Sequence, residues 1–391
     1  MLPRRLKIGC FVLEGLNSFA TTYYFYYFYF FMQTEFGYGN RANLLLAALS
    51  GAVYAVMAWL GGRFAQRFGY FTALKVGFLI MMTTLAIGSQ HHAASSHILV
   101  MLIAVAGMCF TWPTLEALVS EGENFAGVQR MVGIYNVMWA SITALAYFIG
   151  GAILEKFGPK SMFYVPVAIQ LVQLGLTLWL EAQSRRAAPV PASSSTAPLP
   201  EAHPHPAGRT KVFLRLAWLA NPFAYIAIQT LIAVMPGVAR RLELSTMAAG
   251  FYCSLWCFSR LGAFFALWRW NGWHYRFRWL LLSYLALIGT FAMILMTPNL
   301  TALIVAQIIF GSVAGLIYYS SLFYSMDLGD TKGEHGGIHE AAIGLGNFAG
   351  PAVGAASLYL LPQYANSGVL AVSGLLLLGL GGLLTIWRKG T

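Results

Sequence analysis

The feature that most constrains this chain is a series of apolar segments, each long enough to cross a lipid bilayer as a helix. About 20 apolar residues are needed to span the hydrocarbon core. Twelve such segments lie near residues 8–32, 42–62, 71–89, 97–118, 130–153, 161–181, 213–236, 245–268, 279–297, 299–323, 337–361 and 366–387. Their number and length predict an all-α polytopic membrane protein, because helices satisfy their own backbone polar groups inside lipid.

The composition supports a chain that places apolar surface against lipid. Apolar residues make up 58% of the sequence and charged residues only 9%, whereas a soluble domain carries about 25% charged residues. The net charge of +11 does not indicate a nucleic-acid partner, because the basic residues form short clusters between apolar segments rather than one stripe. The four cysteines all lie within apolar segments, so neither a disulfide framework nor a metal site is predicted, and no cofactor is expected.

The distribution of basic residues predicts the orientation of the spans. One side of a twelve-span arrangement carries only Arg41, Lys156, Lys160, Arg240 and Arg241. Apart from Arg260, which lies inside a span, the other side carries the remaining 18 of the 24 Lys and Arg residues. Since cytoplasmic loops are enriched in Lys and Arg, both termini are predicted to lie in the cytoplasm, in a bacterial inner membrane.

A segment rich in Pro, Ser and Ala divides the chain into two sets of six spans. We predict a six-helix bundle over 1–183, a flexible cytoplasmic linker over 184–211 and a second bundle over 212–391. The two halves share local patterns: Asn17 corresponds to Asn221, and Asn136 corresponds to Glu340, both at an offset of 204 residues. A repeated six-span unit predicts a substrate path between the halves, near the membrane midplane.

The loop between spans 2 and 3 carries the most specific motif, Gly62-Arg63-Phe64-Ala65-Gln66-Arg67-Phe68-Gly69-Tyr70. It resembles the Gly-x-Leu-Ala-Asp-Arg-x-Gly-Arg loop of the major facilitator superfamily, although Gln66 and Tyr70 depart from that pattern. The resemblance implies a fold of two pseudo-symmetric six-helix bundles and a cytoplasmic gate. The gating residues that it implies are Gly62, Arg67 and Gly69, with Glu121 and Glu123 as candidate partners of Arg67, and Arg269 facing Asp327 in the second half.

Polar residues at helical spacing fall on spans that line the central cavity in that family. Span 1 carries Glu14, Asn17, Thr21, Tyr24 and Phe28 on one face. Similar stripes occur in span 5 (Asn136, Trp139, Thr143), span 7 (Asn221, Tyr225, Gln229) and span 11 (Glu340, Gly344, Asn347), and span 8 adds Trp256 and Arg260. From these stripes we predict eleven substrate contacts: Asn17, Thr21, Tyr24, Asn136, Trp139, Asn221, Tyr225, Gln229, Trp256, Arg260 and Asn347.

Ionisable groups within spans are the candidates for proton coupling, because charge is unfavourable there unless it has a function. Glu14 and Glu340 are the leading proton sites, followed by Glu116, which is equally compatible with a gate, and by His339. Arg260 is compatible with two roles: it binds a substrate carboxylate or phosphate, or it neutralises Glu340 or Glu14. The ion pair is the favoured interpretation.

These patterns predict a secondary active transporter that works by alternating access, with proton-coupled symport of a small polar organic solute such as a sugar, nucleoside, peptide or organic acid. No catalytic constellation is present, so an enzyme is not predicted, and a monomer is expected. A proton-driven exporter of drugs or metabolites is the first alternative; loss of the Gly-Pro pair of family antiporters near Gly150 weighs against it. A membrane sensor without transport is the second alternative.

Overall fold

The computed structural model is a bundle of long α-helices and describes residues 4–123, 125–186, 207–327 and 334–390, with side chains over 6–123, 127–186, 209–325 and 340–390. The first half contains α1 (Arg4–Phe36), α2 (Asn40–Phe68), α3 (Tyr70–Gly88), α4 (Ala94–Met108), α5 (Trp112–Ser120), α6 (Phe125–Phe157) and α7 (Ser161–Arg186). The second half contains α8 (Ala207–Arg241), α9 (Thr246–Cys253), α10 (Leu255–Arg269), α11 (Phe277–Met296), α12 (Leu300–Asp327), α13 (Glu334–Leu360) and α14 (Ser367–Gly390). Most of the predicted linker lies outside the described residues.

Within these residues, eleven helical segments are long and apolar enough to cross a membrane. Helix α1 supplies the twelfth predicted span. Its 33 residues reach about 50 Å at 1.5 Å per residue, and its many tyrosines explain its lower hydropathy. The prediction of an integral, multi-pass membrane protein is therefore confirmed.

Two predicted spans are each built from a pair of shorter helices. In span 4, Cys109–Thr111 form a turn between α4 and α5, and the Thr111 hydroxyl donates to the Met108 carbonyl at 2.9 Å. Pro113 follows in the first turn of α5. Proline is tolerated there because backbone N–H groups in the first turn have no acceptor within the helix. In span 8, Ser254 separates α9 from α10.

The two halves have the same helix order, as the sequence repeat predicts. Shifting the bounds of α7 by 204 residues gives 365–390, and α14 is Ser367–Gly390. The same shift carries α3 to 274–292, close to α11 at Phe277–Met296. Spans 4 and 8 are not equivalent positions in the repeat, so their breaks are particular to each half.

The most extensive contacts between the halves are those of α2 with α13 and of α6 with α9 and α10. Glycines allow the first pair to approach closely: a Cβ atom at Gly51 would overlap the backbone of Asn347, and one at Gly344 would overlap Ala55. These contacts place one face of α2 and one face of α13 beside a central cavity.

Candidate functional site

A cavity of about 140 Å³ lies between the two halves. Helices α1, α2, α4, α5 and α6 line it from the first half, and α8, α10, α12 and α13 line it from the second. The predicted site residues that line it are Thr21, Glu116, Asn136, Trp139, Tyr225, Gln229, Arg260, Glu340 and Asn347. The structure thus brings together nine side chains that lie far apart in sequence.

Three hydrogen bonds cross from one half to the other around this cavity. The Tyr54 hydroxyl donates to the Glu340 carboxylate, and the Tyr318 hydroxyl donates to Asn136 Oδ1 at 2.9 Å. The third runs from Gln229 Nε2 to the Tyr29 hydroxyl, at 3.2 Å. Each one joins helices of different halves, so a relative movement of the halves must break or rearrange them.

Arg260 lies at the α6–α10 side of the cavity, and only 2% of its surface is exposed. Its guanidinium carbon lies 4.5 Å from the ring centre of Trp139 and 4.9 Å from that of Trp256. No carboxylate of the described side chains lies within 4.0 Å of it. The predicted ion pair with Glu340 or Glu14 is therefore absent, because Arg260 points between two indole rings instead.

Two carboxyl groups enter the cavity from opposite halves. Glu116 lies on α5, where the break after α4 aims it inwards, and Glu340 lies on α13. The two groups are close enough to interact electrostatically. Glu116 is therefore a cavity residue.

Glu14 lies behind the cavity wall and is fully buried. The Ser18 hydroxyl donates to its Oε1 at 2.7 Å, whereas its Oε2 has no hydrogen-bond partner. Tyr135, which lines the cavity, lies within electrostatic range of both Glu14 and Glu116. Glu14 therefore contacts the cavity only through intervening groups.

Helix α1 is rotated relative to the predicted cavity face, so that only Thr21 of the predicted stripe lines the cavity. Thr21, Tyr26 and Tyr29 line the cavity, whereas Tyr24 packs against Phe28 and Phe163 with ring centres 5.7 and 6.1 Å apart. Tyr24 thus belongs to the packing between α1 and α7. The stripe that contains Glu14 and Tyr24 is buried against neighbouring helices, which a pattern of polar residues does not distinguish from a cavity face.

Three further predicted substrate contacts lie outside the cavity wall. Asn17 accepts a hydrogen bond from the Thr111 hydroxyl at 3.4 Å, and its Nδ2 has no partner. Asn221, its counterpart in the repeat, is 1% exposed, and its Oδ1 has no partner. Trp256 is fully buried and supports Arg260 from behind. These three residues surround the cavity without lining it.

The predicted gate residues do not form the expected pairs. Gly69 has φ +89° and forms the tight turn between α2 and α3, whereas Gly62 has open space around it. Arg67 is exposed, with its guanidinium carbon 5.3 Å from the Phe68 ring centre, and it makes no ion pair with Glu121 among the described side chains. Because Gln66 stands where the family pattern has Asp, the loop itself supplies no acidic partner.

Ion pairs at this end of the bundle involve other residues. Lys7 pairs with Glu123 and also donates to the Val119 carbonyl at 3.3 Å, which ties α1 to the end of α5. Lys75 pairs with Glu181 at 2.7 Å. The side chains of Asp327, the predicted partner of Arg269, and of His339 lie outside the described residues.

Sequence reasoning missed several aromatic cavity residues, among them Tyr26, Tyr29, Tyr54, Tyr135 and Tyr318. For Tyr54 a signal existed, since Ser50 and Tyr54 are four residues apart in an otherwise apolar part of α2. Among the described residues no group of three or more His, Cys, Asp or Glu is placed to hold a metal ion.

A larger cavity of about 360 Å³ lies where α8 ends, among α2, α8, α11, α13 and α14. Its Arg241 donates to the carbonyls of Leu295 and Thr297 at 2.8 and 2.9 Å. No acidic residue lines it, and this arginine is used to hold α8 to the end of α11. We therefore place the functional site at the central cavity.

A bundle of membrane-spanning helices in two matching halves, with a polar cavity between them, defines a membrane transporter. The sequence model described as Major Facilitator Superfamily matches residues 10–355, so this chain belongs to the major facilitator superfamily. The resemblance found in the 2–3 loop is thereby confirmed. Comparison with curated proteins finds no match.

Solved structures of similar fold are transporters. The nucleoside transporter NupG has a TM-score of 0.67 and 13% identity, covering 98% of this chain and 99% of its own. A bacterial homologue of the human lysosomal transporter Spinster has a TM-score of 0.70 and 14% identity, covering 98% and 96%. A structure described for proton-dependent oligopeptide transporters has a TM-score of 0.68 and 16% identity, covering 98% and 100%.

Proposed function

We propose that this protein is a secondary active transporter that moves a small polar organic solute by alternating access and proton-coupled symport. The observation that carries the proposal is the central cavity, which places Glu116 of one half and Glu340 of the other beside amide and aromatic groups. Amides and tyrosine hydroxyls bind polar solutes, and carboxyl groups in a site with little water bind and release protons.

Contacts at the end of the bundle where α6 ends support alternating access. The Glu155 carboxylate of α6 accepts a hydrogen bond from the Met247 backbone N–H of α9 at 2.8 Å. Beside it, a Cβ atom at Gly151 would overlap the Thr246 carbonyl. These close contacts between halves define one closed end. In the proposed cycle they separate when the cavity opens to that side.

The environment of Glu340 supports a role in proton coupling. Its hydrogen-bond donor is the neutral hydroxyl of Tyr54, and no basic group of the described side chains lies within 4.0 Å of it. Its protonation therefore requires no ion pair to break. Among the described side chains, Glu116 likewise has no basic group within 4.0 Å.

The solved relatives add support for the solute class. Their descriptions name nucleosides and oligopeptides as substrates, and one describes proton dependence. Both substrate classes are small polar organic molecules. We also propose that the ends of α1 and α14 face the cytoplasm of a bacterial cell, as the basic residues of the sequence indicate, and that the protein acts as a monomer.

Uptake into proteoliposomes tests this function. We expect a member of a library of nucleosides, dipeptides, sugars and organic acids to accumulate when the medium is more acidic than the lumen. Glu14→Gln combined with Glu340→Gln, and Glu116→Gln separately, should reduce gradient-driven accumulation, whereas exposed Glu35→Gln should not. Accumulation that persists in all these variants would contradict proton coupling through these groups. Movement only from the lumen to an acidic medium would instead indicate the exporter.

A further inference from the structure

Arg260 carries a buried positive charge that has no acidic partner within 4.0 Å among the described side chains. Its Nε and Nη2 atoms have no hydrogen-bond acceptor, and both are shielded from solvent by the protein. Guanidinium hydrogen bonds to a carboxylate are frequently bidentate, through two parallel N–H groups. An unpaired buried ion is strongly unfavourable, so retention of this charge in the cavity wall points to an anion as its partner.

The surroundings hold the guanidinium in one orientation. Trp139 of α6 and Trp256 of α10 lie within 4.5 and 4.9 Å of its central carbon, and both have buried side chains. Cation–π contacts with two indoles stabilise the positive charge. They leave Nε and Nη2 without a hydrogen-bond acceptor. These two nitrogens can bind both oxygens of one carboxylate.

Other charges in the cavity limit the ligand to a single negative charge near Arg260. Glu116 and Glu340 interact electrostatically with Tyr225 and Tyr318, and so does Arg260. The two tyrosines therefore lie within range of both the positive and the negative groups. A ligand with two or more negative charges would place its additional charge near the carboxyl groups, where repulsion is unfavourable.

We propose that the transported solute carries one carboxylate group, which binds to Arg260 between Trp139 and Trp256. This inference rests on the proposed function and narrows its solute class to monocarboxylates. The cavity volume of about 140 Å³ suits a small acid. Because Trp139 and Arg260 belong to different halves, the bound carboxylate lies at the interface that must rearrange during transport.

Ligand binding to the purified full-length protein tests the site without transport. The probes are lactate and benzoate, their neutral counterparts lactamide and benzamide, and inorganic phosphate. We expect lactate and benzoate to raise the melting temperature and to change tryptophan fluorescence. The amides and phosphate should not, because they lack a single planar anionic group.

Arg260→Gln should remove the carboxylate response, and Arg260→Lys should weaken binding by about tenfold to a hundredfold, because one point charge replaces the planar fork. The matched control is Arg278→Gln. Arg278 is exposed and also lies beside a tryptophan, with its guanidinium carbon 5.7 Å from the Trp279 ring centre. The Arg278→Gln variant should retain the response to carboxylates. If Arg260→Gln does not fold, the comparison of acids with amides on the unmodified protein still tests whether the site requires a carboxylate.

Equal binding of amides and acids, stronger binding of phosphate, or no response to any carboxylate at saturating concentration would overturn the proposed site. So would an unchanged response in a folded Arg260→Gln protein. Carboxylate binding without gradient-driven flux would refute the proposed transport function and leave the site intact. Gradient-driven flux of a neutral solute that Arg260→Gln does not alter would refute the carboxylate site and leave transport intact.

Discussion

The Tyr54 hydroxyl donates a hydrogen bond to the carboxylate of Glu340, and this contact joins α2 of the first half to α13 of the second. Tyr54 is 7% exposed, so the bond forms in a site with little water. The same helix pair makes close glycine contacts between the halves, at Gly51 and Gly344. Glu340 is therefore placed to link its protonation state to the packing of the two halves.

We expect Tyr54→Phe to reduce gradient-driven uptake while preserving exchange of solute between the two sides of the membrane. Loss of a hydrogen bond to a charged group weakens the interaction by about 1.5–3 kcal/mol, which changes the proton affinity of Glu340 without removing its carboxyl group. The measurement is the ratio of accumulation to counterflow in proteoliposomes. Tyr364→Phe, at an exposed tyrosine, is the control. An equal loss of both activities would show that Tyr54 is needed for folding or solute binding instead.

The pH dependence of transport should change when a cavity carboxyl group is neutralised. Unmodified protein is expected to accumulate solute faster as the external medium becomes more acidic than the lumen, because a proton enters with the solute. Glu340→Gln mimics the protonated group permanently, so uptake should become independent of the pH gradient. Initial rates measured over a range of external pH values test this expectation. A gradient dependence that survives in Glu340→Gln and disappears in Glu116→Gln would assign the proton to Glu116.

A side chain at Gly151 should prevent the end of the bundle that contains Glu155 from closing. A Cβ atom there overlaps the Thr246 carbonyl of α9, whereas Gly133 on the same helix has open space around it. We therefore expect Gly151→Ala to shift the protein towards a state open at that end, and Gly133→Ala to leave it unchanged. Distances between spin labels at the exposed positions Lys156 and Thr301 should lengthen only in the first variant. Unchanged distances in Gly151→Ala would argue against this contact as part of the closed end.

The ion pair of Lys7 and Glu123 should contribute more to the thermal stability of the protein than Arg67 does. Their side chains are 8% and 22% exposed, so removal of one partner leaves a poorly solvated charge. Lys7→Gln is expected to lower the melting temperature of the purified protein by several degrees, and Arg67→Gln to leave it nearly unchanged. The charge exchange Lys7→Glu with Glu123→Lys should recover part of the loss. A larger effect of Arg67→Gln would indicate a role of the 2–3 loop that the ion pairs of this structure do not include.

The sequence by itself determined the number of spans, the division into two sets of six and the membership of Asn136 and Glu340 in a repeat. These features depend on local hydropathy and length, because lipid imposes the same requirement on every span regardless of its neighbours. The glycine at position 69 was also predictable, since a tight turn with positive φ favours glycine. The exact boundaries of the bundles and the linker stay predictions.

Only the tertiary structure decided which face of each helix meets the cavity. In α1 the polar stripe that contains Glu14 and Tyr24 is buried against other helices, and Tyr26 and Tyr29 line the cavity. Polar spacing defines a face but not the rotation of the helix about its axis, which packing with neighbouring helices sets. Likewise, Arg260 was predictable as a cavity charge, whereas its position between Trp139 and Trp256 depends on contact between helices of different halves.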